Sequence, residues 1–267
     1  MTITTILIIF FVAAGITTIA STIGIGGGLL LVPSLILLAH LDPASAAGTS
    51  LAAIVVSSFT ASFRNFRMKT IHYSLAACLA AGSVSGAIIG ARIADVLPEL
   101  QWKFLFVIIA LYLLMTMIRV KEKNNLLQYY FSVMNRLPIK KIHFNENQGV
   151  SVVGLILTGI FIGILSAILG LGGGFIATPL LLVGMKLPHR IAVSTSVAMI
   201  FLTALSGSIS HFLLGHLNVS VWMAAVAGTF VGGLMGSKIL HQIPEKLVRY
   251  MFAIVLLVAI ILLMIKQ

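Results

Sequence analysis

The sequence predicts an all-α integral membrane protein of two inverted repeats, each of about five helical segments, with broken or short helices at two glycine clusters. Three observations predict it. First, 60% of the 267 residues are hydrophobic and only 9% are charged, whereas a soluble domain carries roughly a quarter charged residues. Second, the apolar residues fall in blocks of about 20, the length at which a helix crosses ~30 Å of hydrocarbon. Third, the two halves of the chain share the same backbone-shaping residues in the same order.

An offset of 146 positions (170 − 24) aligns Gly24–Ile118 with Gly170–Met264 without a gap. Gly24, Gly26, Gly27 and Gly28 fall on Gly170, Gly172, Gly173 and Gly174, and Pro33 falls on Pro179. Thr49 and Ser50 fall on Thr195 and Ser196, and Gly82, Gly86 and Gly90 on Gly228, Gly232 and Gly236. Pro98-Glu99 falls on Pro244-Glu245. Two unrelated Leu/Ile-rich segments would share apolar positions, not this set of punctuation marks, so the chain is an internal duplication.

The first half has apolar segments at about 3–23, 29–40, 44–63, 71–94 and 102–118. The opening segment lacks the early Lys or Arg of a secretory signal and has a counterpart in the second half, so it is expected to stay in the mature chain. The second segment is too short to span alone, and the first two are read as a hairpin bending at the glycines. The third carries hydroxyls at Ser57, Ser58, Thr60 and Ser62; the fourth has its glycines four apart, a spacing that lets helices approach closely. Such a face suits a second copy of the chain, hence a homodimer, as well as an internal neighbour. The second half repeats the pattern at about 150–169, 175–186, 190–210, 217–240 and 248–265. Residues 1–118 and 150–267 are thus two membrane repeats, joined by a basic cytoplasmic linker at 119–149. Within it, Leu126, Leu127, Tyr130, Phe131 and Met134 have the spacing of a short interfacial helix.

Charge sets the orientation. Arg64, Arg67 and Lys69 mark one cytoplasmic loop, and the linker marks another. Lys186 with Arg190, and Lys238 with Lys246 and Arg249, mark two more. His40–Pro43 and His211–His216 hold no Lys or Arg. By the positive-inside rule, equivalent loops of the halves lie on opposite sides, as in an inverted repeat with its axis in the membrane plane. Both termini are then extracytoplasmic. The net charge of +11 is explained by loops that meet anionic headgroups, and no basic stripe interleaved with aromatics suggests nucleic acid. The one cysteine, Cys78, lies in an apolar block and points to packing. Nothing in the sequence calls for a metal or other cofactor.

The candidate substrate site is built from Gly26, Gly27 and Gly28 with Gly172, Gly173 and Gly174. Such clusters resemble fragments of a dinucleotide fingerprint, but that motif needs a strand and a soluble βαβ unit. In a membrane helix, adjacent glycines favour a break, and broken backbone at depth is tolerated only if buried or lining a wet cavity. The segment restarting after the break presents unpaired N–H groups and a positive dipole end, which suits an anion. The competing reading is tight helix crossing. Thr49, Ser50, Thr195 and Ser196 join the site as neutral hydrogen-bond donors, against the alternative of helix–helix contacts. Asn65 and its counterpart His211 are candidate vestibule residues at the ends of hydroxyl-rich helices.

The six acidic residues, Asp42, Asp95, Glu99, Glu122, Glu146 and Glu245, all lie in loops or at segment ends. A cation pump would normally need a carboxylate mid-membrane. If transport is proton-coupled, a histidine or the substrate must carry the proton. An embedded enzyme lacks its constellation, since His72 and His211 lie in opposite halves without acidic partners. A passive anion channel remains the alternative to a carrier of a small anion.

The glycine clusters with Pro33 and Pro179 five residues on, the Thr-Ser pairs, the glycine-spaced helix and the basic linker together resemble the TauE/SafE family of sulfite and organosulfonate exporters. The resemblance covers nearly the whole chain. It implies a secondary transporter in a bacterial cytoplasmic membrane exporting a sulfur-containing anion such as sulfite, sulfoacetate or thiosulfate.

Overall fold

The computed structural model describes residues 3–118, 141–145 and 148–265, and the expected interfacial helix of the linker lies outside them. The described residues form helices α1 (Ile3–Ile23), α2 (Gly28–Leu38), α3 (Pro43–Arg67), α4 (Tyr73–Val96) and α5 (Glu99–Ile118). The second half supplies α6 (Val152–Leu169), α7 (Gly174–Gly184), α8 (His189–Leu213), α9 (Val219–Leu240) and α10 (Glu245–Ile265). Seven of these are long and apolar enough to cross a membrane, while α2 and α7 are shorter apolar helices. Large apolar side chains such as Phe11, Phe59, Phe161, Met223 and Ile254 are exposed, whereas Thr49, Ser50, Asn65, Thr195, Ser196 and His211 are buried. Polar groups inside and an apolar exterior are what lipid requires.

One stretch differs from the sequence-based reading. The end of the linker is an antiparallel β-hairpin, β1 (Lys141–Asn145) with β2 (Gln148–Ser151), which leads directly into α6. Ser151 ends the hairpin and caps α6, its Oγ accepting from Gly154 N–H. The alternation Ile142, Phe144 is too short to stand out in windows of about 20 residues, which favour membrane helices. A second difference is a π-helical turn over Leu180–Gly184, following Pro179 inside α7.

Helix boundaries follow local chemistry. Asp42 caps α3 by accepting from Ser45 N–H, with Pro43 at the first position, and Arg64 and Arg67 occupy its last turn. His72 and Asn218, which are 146 positions apart, cap α4 and α9 through Leu75 N–H and Val221 N–H.

Packing pairs helices of one half with those of the other. α4 lies along α6, α1 along α9, α3 along α8, and α5 against α10. A β-carbon on Gly82, Gly86 or Gly90 would collide with the Ile156, Ile160 or Ile164 carbonyl, and one on Gly228, Gly232 or Gly236 with that of Phe10, Ala14 or Thr18. Adding 146 to the residues of α1 gives those of α6, so the two seams are equivalent. Along both, the glycines serve close helix approach. The start of α3 meets the end of α8, with Gly48 against His211, and its end meets the start of α8, with Thr70 Oγ1 2.9 Å from Ser194 Oγ. The equivalent helices α3 and α8 therefore run antiparallel.

Candidate functional site

The two glycine clusters are breaks between helices, and they touch. α1 ends at Ile23 and α2 starts at Gly28; between them Gly24, Gly26 and Gly27 take positive φ of 79°, 91° and 101°. Gly170, Gly172 and Gly173 do the same at 71°, 78° and 90°. Those angles favour glycine, because other residues place Cβ against their own backbone there. A β-carbon on Gly28 would overlap the Gly170 carbonyl, and one on Gly174 the Gly24 carbonyl. Ile54 and Ile200, another equivalent pair, pack against Gly172, and Ile200 also against Gly26.

At each break the backbone leaves donors over. Ile25 N–H bonds Ala20 O, and Leu30 and Leu31 N–H reach Gly27 O. Among the described residues no acceptor meets the N–H groups of Gly26, Gly27, Gly28 or Leu29, all buried. The second break is the same: Leu171 N–H bonds Ser166 O, Ile176 and Ala177 N–H reach Gly173 O, and Gly172, Gly173, Gly174 and Phe175 are left. The first N–H groups of a helix have no intrahelical acceptor, and here two such sets, on buried residues, lie at facing breaks. The buried Ser166 Oγ, also without a partner, lies beside Gly173. Ala20 stands at the equivalent place, so this hydroxyl belongs to one break alone.

The four hydroxyl residues sit around the breaks but are engaged by protein. Ser50 Oγ donates to Gly170 O at 2.9 Å. In the mirrored place, Ser196 Oγ lies 3.2 Å from Gly24 O, which Thr178 Oγ1 reaches at 2.6 Å. Thr49 Oγ1 accepts from Asn218 N–H at 3.1 Å, and Thr195 Oγ1 from His72 N–H at 3.0 Å. These groups position the breaks and the loops after α3 and α8. Ser50 and Ser196 spend their O–H on carbonyls of the breaks, whereas Thr49 and Thr195 act here as acceptors and keep an O–H to donate, alongside the backbone N–H groups.

Asn65 and His211 lie at opposite poles. Asn65 Oδ1 is 3.3 Å from His241 Nε2, and its buried Nδ2 has no acceptor among the described residues; Arg64 Nε is likewise buried without one. Arg190 donates from Nη2 to His241 O at 2.8 Å. Burial, then the charges of Arg190, Arg64 and His189, hold the His241 imidazole below its ordinary pKa. At the other pole His211 contacts His216, which pairs with Asp95. Asp42 is nearby: burial raises its carboxyl, but the Ser45 bonds and the charge of His216 outweigh that and the net direction is down. Sequence reading missed Ser166, Ile54 with Ile200, and the partners His216, Asp95 and His241. The repeat itself pairs Asp95 with His241 and Thr70 with His216, a signal that was available.

Comparison with known proteins adds the family. The model of the family described as sulfite exporter TauE/SafE matches residues 7–263. A probable membrane transporter protein of Bacillus subtilis, YunE, is 29% identical over 94% of each chain. Another from the same organism, YdhB, is 25% identical over 85% of this chain and 87% of its own. MJ0441 of Methanocaldococcus jannaschii, also named a probable membrane transporter protein, is 26% identical over 89% and 87%. No solved structure shows significant similarity. With its apolar spanning helices and this match over nearly its whole length, the chain belongs to the sulfite exporter TauE/SafE family of membrane transporters.

Proposed function

We propose that this chain is a secondary carrier exporting a small sulfur-containing anion, such as sulfite, thiosulfate or sulfoacetate, across a bacterial cytoplasmic membrane by alternating access. The observation that carries this reading is the pair of touching breaks with their buried, unaccepted N–H groups. Donors of this kind stabilise an anion without a buried counter-charge, and the N-terminal ends of α2 and α7 add positive dipole ends. Ile54 and Ile200 close over the breaks, so admitting an anion requires them to part. The reciprocal contacts of the halves support an inverted repeat whose axis lies in the membrane plane, the arrangement in which one half rocks against the other around a central site. The cationic pole of Arg64, Asn65, Arg190 and His241 is the cytoplasmic mouth on this reading, where positive charge raises the local anion concentration.

The test is counterflow in proteoliposomes loaded with unlabelled sulfite, thiosulfate or sulfoacetate. Saturable uptake of the labelled anion, accelerated by the same anion inside, is expected for one or more of the three. Linear, unaccelerated flux would mean a channel, and no flux of any of them would remove the substrate class.

A further inference from the structure

We propose that Asp95, His216 and His211 form a proton-binding relay at one pole of the transporter, and that its proton couples anion movement to the proton gradient. The heavy-atom distances are those of a chain of three hydrogen bonds, and such a chain implies a proton count. His211, fully buried in the last turn of α8, has Nε2 3.0 Å from Ala167 O. A carbonyl only accepts, so Nε2 carries hydrogen. At the far end His216 Nε2 lies 2.9 Å from Asp95 Oδ1. An ionised carboxylate also only accepts, so that nitrogen carries hydrogen too. Between them the two Nδ1 atoms are 3.1 Å apart. Two bare nitrogens would repel at that distance, and two N–H groups would clash. One proton therefore lies between them.

Three N–H protons on two imidazoles are one more than two neutral rings hold. The pair is cationic by one charge, balanced by Asp95. The count survives transfer along the chain: with the proton on Asp95, its O–H donates to His216 Nε2, His216 Nδ1–H donates to His211 Nδ1, and His211 Nε2–H still donates to Ala167. Asp95 is half-exposed and His211 buried, so the three groups connect solvent to the interior. Removing the proton leaves two lone pairs facing each other, and the contact between His211 and His216 must open. That contact ties the loop after α8 and the end of α4 to Ala167, three residues before Gly170, where the second break begins. On this proposal proton loss frees the loop after α8 from His211, which stays bonded to Ala167 beside the break.

The surroundings isolate the relay. The charged groups facing it are Asp95 from α4 and Asp42 from the start of α3, which acts on His216. α6 presents the Ala167 carbonyl, and α3 packs Gly48 against the His211 side chain. At the opposite pole the equivalent positions are Asn65, Thr70 and His241. There Asn65 Oδ1 accepts from His241 Nε2, an arrangement that neutral groups satisfy. Only one of two symmetry-related poles holds the extra proton, which gives otherwise matched halves different responses to pH.

The relay's part in transport rests on the anion-carrier reading, whereas its proton count does not. Nitrogen-15 NMR of histidine-labelled protein in micelles reads the count directly. The expected result is a resonance pair sharing one proton between two Nδ1 atoms, lost in His211→Asn, which copies Asn65, and in Asp95→Asn, which keeps an acceptor for His216 but removes the counter-charge. Absence of any proton shared between the two Nδ1 atoms throughout the titration would overturn the site. In proteoliposomes with an internal pH dye, protons moved per sulfite or thiosulfate are expected to fall at least tenfold in Asp95→Asn. An unchanged ratio in that variant would overturn the coupling. Absence of anion flux from the unsubstituted protein would instead sink the carrier reading and the coupling, with the NMR still deciding the proton site.

Discussion

Ser50 and Ser196 occupy equivalent positions with unequal consequences. Ser50 is the hydroxyl that meets Gly170 O, whereas Gly24 O is shared by Ser196 and Thr178. Removing a donor from a buried carbonyl costs ~1–3 kcal/mol, and much less when a second donor remains. Ser50→Ala should therefore destabilise by about 1–3 kcal/mol and Ser196→Ala by under about 1 kcal/mol, read as thermal midpoints in one detergent. Equal losses would mean the two carbonyls are not distinguished as described. This distinction was not legible in the sequence. Glycine and proline positions act on their own backbone and can be read locally, but a hydroxyl's partner 120 residues away depends on the packed fold. For the same reason the carbonyl partners of Ser50 and Ser196 were not legible in the sequence.

Among the elements, the two glycine seams hold the halves together. A side chain at Gly82 meets the backbone of α6 rather than a movable side chain, so no rotamer relieves it. Gly82→Val must push α4 off α6; overpacking of this kind costs ~1–3 kcal/mol or more. The expected result is a thermal midpoint lowered by roughly 5–10 °C or loss of folded protein. Gly15→Ala, where no atom lies within 4 Å of the new methyl, should not lower the midpoint and should raise it slightly, because Ala is the better helix former. The seams were readable because a four-residue glycine spacing has one dominant use between membrane helices. The hairpin of β1 and β2 was not readable, being short, polar at both ends and adjacent to a much stronger helical signal.

For the whole molecule, the reciprocal contacts predict opposite placement of equivalent loops. With Cys78 replaced by Ser, a cysteine at Met68 should react with an impermeant thiol reagent only from the cytoplasmic side. One at the equivalent Leu214 should react only from outside. Both residues are exposed, so reactivity reports side rather than burial. Labelling of both from one side would contradict the inversion. The duplication and the place of the breaks were plain from the sequence, and inversion implied that the breaks face one another; their direct backbone contact emerged only from how the halves interlock. On the proposed reading, their contact joins two clusters of unaccepted donors into one anion site. Its most direct test is crystals of the protein soaked in selenite, a sulfite analogue, with diffraction measured at the selenium edge. An anomalous peak within hydrogen-bond distance of the N–H groups at Gly26–Leu29 or Gly172–Phe175 is the predicted result. A peak confined to the Arg64 and Arg190 pole, or none at a concentration that saturates transport, would contradict it.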